Sequence, residues 1–233
     1  MNQHPDPPPW PLYRANRDRL MAIVQPLSAA AAAQSVPLTP DWSIADVTAH
    51  LCGLNVDIAS GVRVGLGTPE RTRQQVQTRA NQSVAQICEE WVDHEDAMRE
   101  AMNDDPFFGH RIAADLTVHL HDVQHALRVP IERDDVATRC AAHTYGSVVT
   151  DLLWERAGIS LRVMLTDGTT FTPSGASGLP ELTLRTTPFS YLRTVTGRRS
   201  YREALALDWD GDPNQVLSDI CPYGPLRDVD AGI

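Results

Sequence analysis

The sequence predicts an α+β chain in which the helices come first and the strands last. Apolar residues recur at helical spacing from about Leu12 to Arg156. Beyond Gly158 the texture changes to alternating apolar and polar residues, interrupted by turn-forming Gly, Asp and Pro. With 233 residues, 42% hydrophobic and 21% charged, the chain is ample for a buried core of ordinary globular composition. The expected domains are therefore a helical unit over 1–157 and a small α/β unit over 158–233.

The first helix is expected from about Leu12 to Gln34, ending near VPLTP, whose two prolines disfavour helix continuation. A second begins after Ser43. Asp46 stands three residues on, so a hydroxyl and a carboxylate are poised at the helix start. Ile44, Val47, Leu51, Leu54 and Ile58 then give it one apolar stripe. A third, long and polar helix is expected over Thr72–Met102, burying Val76, Val84, Ile87, Trp91 and Met98. DDPFFGH breaks it, and RIAADLTVHLHDVQHALR forms the fourth. Another helical stretch runs to about Arg156 and stops at Gly158. In the second unit ISLRVML and PELTLRT read as strands and DGTTF as a turn. FSYLRTVTGRRS reads as a short helix ending at Gly197, and REALALDWDGDP as a further strand and turn.

The formal net charge of −10 argues against nucleic acid as a partner, because an acidic chain gains nothing from a phosphate backbone. Arginine supplies the cationic charge, which suits carboxylate recognition without establishing it. Cys52, Cys88, Cys140 and Cys221 are scattered with no CxxC pair, a pattern of reduced thiols in a cytoplasm. The N-terminus is polar and proline-rich, and Ala29–Ala33 is too short and weakly apolar for a membrane. A soluble, cytoplasmic protein is the expectation.

The chemistry-bearing residues are sorted by helix geometry. At roughly 100° per residue, Ile112, Leu116, Val123 and Leu127 mark the apolar face of the fourth helix. Asp115, His119 and Asp122 stack at its margin, and a carboxylate and an imidazole at i, i+4 can converge on one ion. His50 lies at the corresponding margin of the second helix. Two imidazoles and a carboxylate from two helices would leave a coordination position for water or substrate. The bland alternative is that Asp115 and His119 form a surface pair. His121 and His125 are the rival HxxxH set, but they are expected to point almost opposite the apolar face, towards solvent, unless another domain covers it. Cys52, two residues from His50, points elsewhere and reads as inert. Trp42, Trp91, Trp154 and Trp209 read as packing residues, and DWDGD at Asp208–Asp212 as a turn, not a calcium loop. There is no GxSxG, P-loop or βαβ-borne GxGxxG.

In this order DWSIADVTAHL, AADLTVHLHDV and LRTVTGRRS…LDWDGDP…YGPL resemble the mycothiol-dependent maleylpyruvate isomerase family of actinobacteria, within the wider DinB-like four-helix metalloproteins. The resemblance spans nearly the whole chain. It implies a DinB-like four-helix bundle followed by a small α/β domain similar to sterol carrier proteins. It also implies zinc, or another divalent metal, held by His50, Asp115 and His119, the set that geometry prefers. Asp122 matches an aspartate three positions after the second histidine, and Gly197 with Arg198 matches a Gly-Arg that brings an arginine near the active site. One position departs: the isomerase has Glu where this chain has Asp115, shorter by one methylene. The implied chemistry is activation of the thiol of mycothiol for attack on a small electrophile. In an isomerase, bond rotation and thiol loss follow; in an S-transferase the adduct is kept. A non-catalytic metal- or ligand-binding stress protein, or a metal-dependent hydrolase using water, are the other readings of the same fold.

Overall fold

The computed structural model describes residues 6–176, 178 and 181–232. They form two compact units, Pro7–Ile131 and Glu132–Ile233, the second joined by Asp6. The division thus falls before the last long helix and not at 157/158. The reason is packing: that helix, α8 below, lies on a helix and two strands that follow it.

The first unit begins with α1 (Pro9–Val24) and the single turn α2 (Ala29–Ala32). The expected continuous helix to Gln34 is interrupted between them, and Ser28 caps the second piece. A two-stranded antiparallel ribbon follows, β1 (Ser35–Val36) and β2 (Thr39–Ser43), where the sequence showed only a helix break. Helix α3 (Ile44–Ala59) starts as expected. Asp46 N donates to Ser43 Oγ at 3.1 Å, and Ser43 N donates to the Asp46 carboxylate at 2.8 Å.

The expected long third helix is delivered in three pieces: α4 (Pro69–Thr78), α5 (Val84–Asp93) and α6 (Glu95–Asp104). The break has a local cause. Ser83 and Gln86 form a second capping box, which begins a new helix where the periodicity suggested continuation. Helix α7 (Pro106–Leu127) starts at Pro106, so PFFGH is its first turn and not a break. Proline is at home there, because that amide has no partner within the helix.

The core of this unit is built from Leu20, Ile44, Ile58, Ile87, Trp91, Met98, Leu116 and Leu120 among others. Polar contacts inside it fix the helix registers. Tyr13 Oη accepts from Trp91 Nε1 at 2.8 Å and Asn55 Nδ2 at 3.2 Å, joining α1, α5 and α3. Asn16 Nδ2 donates to Thr117 Oγ1 at 3.0 Å, joining α1 to α7. Burial pushes the Tyr13 hydroxyl up to about 12, so it stays protonated.

The second unit contains α8 (Val136–Ala157), β3 (Leu161–Leu165), β4 (Thr170–Phe171), β5 (Leu182–Thr186), α9 (Pro188–Val195), α10 (Tyr201–Leu205) and β6 (Asp208–Asp210). The sheet order is β4-β3-β5-β6, with β3 and β5 parallel and the outer pairs antiparallel. REALA, expected as strand, is helical because Ser200 and Glu203 make a third capping box. The two expected strands and the helix ending at Gly197 are present. Among the described residues, no helix is long and apolar enough to cross a membrane.

His143 on α8 clamps this unit. Its Nδ1 lies 2.9 Å from Asp6 Oδ1 and its Nε2 2.9 Å from Asp167 Oδ2. Burial alone would lower the His143 pKa, but the hydrogen bonds to Asp6 and Asp167 outweigh it and raise it. A raised folded value stabilises the fold fully below the unfolded value, about 6.5, and loses that contribution as pH rises through the folded one. Urea unfolding across this range should therefore show stability falling with rising pH, and His143→Gln should remove that fall. An unchanged slope in the variant would refute the assignment.

Candidate metal centre

Three donors from two helices of the first unit converge. His50 lies on α3 and Asp115 and His119 on α7, with one ligand atom of each within 4.8 Å of the others. His50 Nε2 is 3.6 Å from Asp115 Oδ2, and His119 Nε2 is 3.8 Å from Asp115 Oδ1. Neither separation is a hydrogen bond. Both are close to the about 3.3 Å that separates two donors bonded tetrahedrally to one zinc-sized ion. Both imidazoles are buried, whereas the Asp115 side chain keeps 34% of its surface exposed, so the cluster opens on the carboxylate side.

The elements explain the convergence. The Ser43–Asp46 box sets where α3 begins, and His50 follows within the second turn. On α7 the spacing of four residues puts Asp115 and His119 on one face. The α3 and α7 helices pack against each other in one core, which brings the two sets together.

Each imidazole has a polar side chain beside its other nitrogen, and for His50 the contact is a hydrogen bond. His119 Nδ1 is 3.3 Å from Oδ2 of Asp122, one turn further along α7 and fully buried. His50 Nδ1 is 2.8 Å from Gln75 Oε1 on α4. The carbonyl acceptor at His50 Nδ1 leaves its Nε2 facing Asp115 with a lone pair available, the arrangement that metal-ligating histidines adopt; the His119 Nδ1 to Asp122 approach lacks hydrogen-bond geometry. Two imidazole lone pairs and a carboxylate directed at one point fit a divalent ion.

Trp42, at the end of β2, covers the pair. Its ring lies 5.8 Å from that of His119, nearly parallel, and 5.1 Å from that of His50. The sequence pattern points to packing alone for Trp42 and to no role for Gln75. What could have signalled Gln75 is the polar stripe Arg71, Gln75, Arg79 at four-residue spacing; Gln75 in α4 and Arg79 just after it are buried, and Val76 is half-buried. Gly53 makes this approach possible, because a Cβ there would lie 2.5 Å from Gln75 Cβ and 2.8 Å from Arg79 Nη1.

The rival pair does not point to solvent. His121 is buried and His125 half-buried. The expectation of an exposed face fails because α7 packs on α1, α3, α6 and β1 at once, burying every position from Leu116 to Gln124. Among the described residues only His50, Asp115 and His119 form a group able to hold an ion. Arg198 belongs to the second unit. There α9 ends with Gly197 at φ +73°, and Arg198 N donates to Arg193 O at 2.8 Å. Its Nη1 donates to Thr196 O at 2.6 Å. The chain's own thiols are poor nucleophiles: burial pushes Cys52 and Cys140 up to about 12 and Cys88 to about 11, so all three are protonated near neutrality.

A family model described as the mycothiol maleylpyruvate isomerase N-terminal domain matches residues 13–124, which carry all three donors. Two solved structures are similar to the chain. One is a mycothiol-dependent maleylpyruvate isomerase, at 15% identity and a TM-score of 0.49, and the other a single-site mutant of such an isomerase, at 14% and 0.48. Each likeness covers 82% of this chain and 88% of the other. No curated protein is significantly similar in sequence.

The glycine contact gives a direct test of the geometry. Gly53→Ala should cost roughly 1–3 kcal/mol of stability by overpacking and push Gln75 away from His50. Denaturant unfolding reads the first effect, and a structure of the variant reads the second. An isostable variant with Gln75 unmoved would show that the close approach is not a constraint.

Proposed function

We propose, from the match of residues 13–124 to the mycothiol maleylpyruvate isomerase N-terminal domain model, that the chain belongs to that family and is a metal-dependent, mycothiol-using isomerase or S-transferase. The observation that carries the reading is the convergence of His50 Nε2, His119 Nε2 and the Asp115 carboxylate on one point, with no hydrogen bond between them. A divalent ion, zinc by the donor chemistry, would supply Lewis acidity there and hold a coordinating thiol as thiolate near neutral pH.

The chain's residues divide the remaining work. His50, Asp115 and His119 bind; Gln75 orients the His50 ring by a hydrogen bond and the Asp122 carboxylate stands beside the His119 ring; Trp42 gives the two imidazoles an apolar cover. The nucleophile comes from outside, because burial keeps the thiols of Cys52, Cys88 and Cys140 protonated. The substrate is a small electrophile with an activated double bond. Thiol addition makes rotation about that bond free, and thiol loss releases the isomer; retention of the adduct would make the same site a transferase. Arg198 is proposed to bind a substrate carboxylate or a developing enolate. Asp115, one methylene shorter than the Glu of the isomerase, still offers a carboxylate oxygen to each imidazole side of the cluster. A cytoplasmic location follows from the use of a reduced small thiol.

Protein purified without a histidine tag should contain about one equivalent of zinc or a similar metal. His50→Ala or His119→Ala should lower its affinity beyond the about 10- to 100-fold that loss of an outer partner costs. Mycothiol should then isomerise a cis-unsaturated 2-oxo acid, or add to a generic electrophile, only with metal bound. Substoichiometric metal unaffected by either substitution would overturn the reading in favour of a non-catalytic protein. Ester or amide hydrolysis without thiol would favour a hydrolase.

A further inference from the structure

Three residues outside the donor set form a continuous chain of hydrogen bonds ending on His50. Arg71 Nε donates to Asp57 Oδ2 at 2.8 Å, and Arg71 Nη2 also pairs with Asp57 Oδ1. Gln75 Nε2 donates to Asp57 Oδ2 at 2.6 Å, and Gln75 Oε1 faces His50 Nδ1 at 2.8 Å. His50, Gly53 and Asp57 form one stripe of α3; Arg71 and Gln75 form the facing stripe of α4. Gln75 is 4% exposed and Asp57 8%, so water does not compete freely for these contacts.

The order of donors and acceptors in this chain is forced from its outer end. Arg71 has only donors, so Asp57 accepts from it as a carboxylate. An ionised carboxylate can only accept, so the Gln75 group facing Asp57 at 2.6 Å must be the amide NH2. Turning the amide round would set two oxygens against each other at that distance. Gln75 therefore presents its carbonyl oxygen to His50, and Nδ1 of His50 must carry the proton. A neutral ring protonated at Nδ1 has its lone pair at Nε2, the atom 3.6 Å from Asp115. A salt bridge two helical turns away thus decides which nitrogen of His50 faces the metal centre.

We propose that Gln75 is a positioning residue of the metal centre, selecting the His50 tautomer whose Nε2 faces Asp115, with Asp57 and Arg71 fixing the direction of its amide. The proposal rests on the reading of His50, Asp115 and His119 as metal ligands, but the tautomer can be tested without metal. Ring nitrogen shifts of His50 in the metal-free protein should report the Nδ1–H form. Gln75→Met, similar in size and without an acceptor, should give a mixture of tautomers and an about 10- to 100-fold lower zinc affinity. Arg71→Met, at a half-exposed position, should shift the tautomer in the same direction and serves if the buried variant does not fold.

The decisive variant reverses the polarity of the link. Gln75→Glu alone places two carboxylates together and should lower zinc affinity. Gln75→Glu with Asp57→Asn restores a donor facing an acceptor, still leaves a carboxylate oxygen for Nδ1–H, and should recover the tautomer and most of the affinity. A merely structural role for Gln75 would not predict that rescue. The proposal is overturned if Gln75→Met keeps both the Nδ1–H form and the wild-type affinity, or if the double variant fails to recover either. A wild-type protein that shows the Nδ1–H form but binds no zinc would sink the proposed function and support the tautomer selection by itself.

Discussion

An imidazole has two nitrogens and, when neutral, one proton, so a buried histidine offers a lone pair in a chosen direction only if something accepts the proton on its other side. That constraint organises the first unit. For His119 the carboxylate beside Nδ1 is that of Asp122, 3.3 Å away within α7 and outside hydrogen-bond geometry. For His50 the acceptor comes from another helix, which must approach closely enough for a glutamine to reach. The approach needs a residue without a side chain at Gly53, one turn past His50.

The division of labour follows from burial. The chain carries four cysteines, and the three with resolved values of about 11 or 12 are held protonated by their surroundings. Burial of a thiol without a cation or metal beside it raises its pKa, and Arg79, the one cation acting on Cys52, does not reverse this. Under the proposed function, the thiolate is therefore that of a thiol arriving in solution. The half-exposed Asp115 side chain marks the side from which such a thiol can approach a cluster otherwise enclosed by rings.

How much of this was legible varied with the range of the interaction that decides it. The start of α3 was legible because Ser43 and Asp46 are three residues apart and speak for themselves. The convergence of Asp115 and His119 was legible because four residues on a helix make one face. The broken third helix was not, since the stronger apolar period through Val84, Ile87 and Trp91 masks the capping box at Ser83 and Gln86 that interrupts it. The burial of His121 is hidden because one clear apolar stripe implies one buried side, whereas α7 has neighbours on several. Trp42 and Gln75 were illegible for a plainer reason: their roles lie in contacts to residues 8 and 25 positions away, on other elements. The domain boundary was misjudged because a change of texture from helix to strand is not a change of packing partner, and α8 packs with the strands that follow it.

Trp42 has a consequence of an optical kind. An indole whose ring centre is 5.1 Å from one donor ring and 5.8 Å from the other lies well within the range over which a paramagnetic ion extinguishes fluorescence. Under the proposed metal reading, this ring is a native reporter of occupancy: loading with cobalt or copper would quench the light the indole emits, with no label attached and no substrate added.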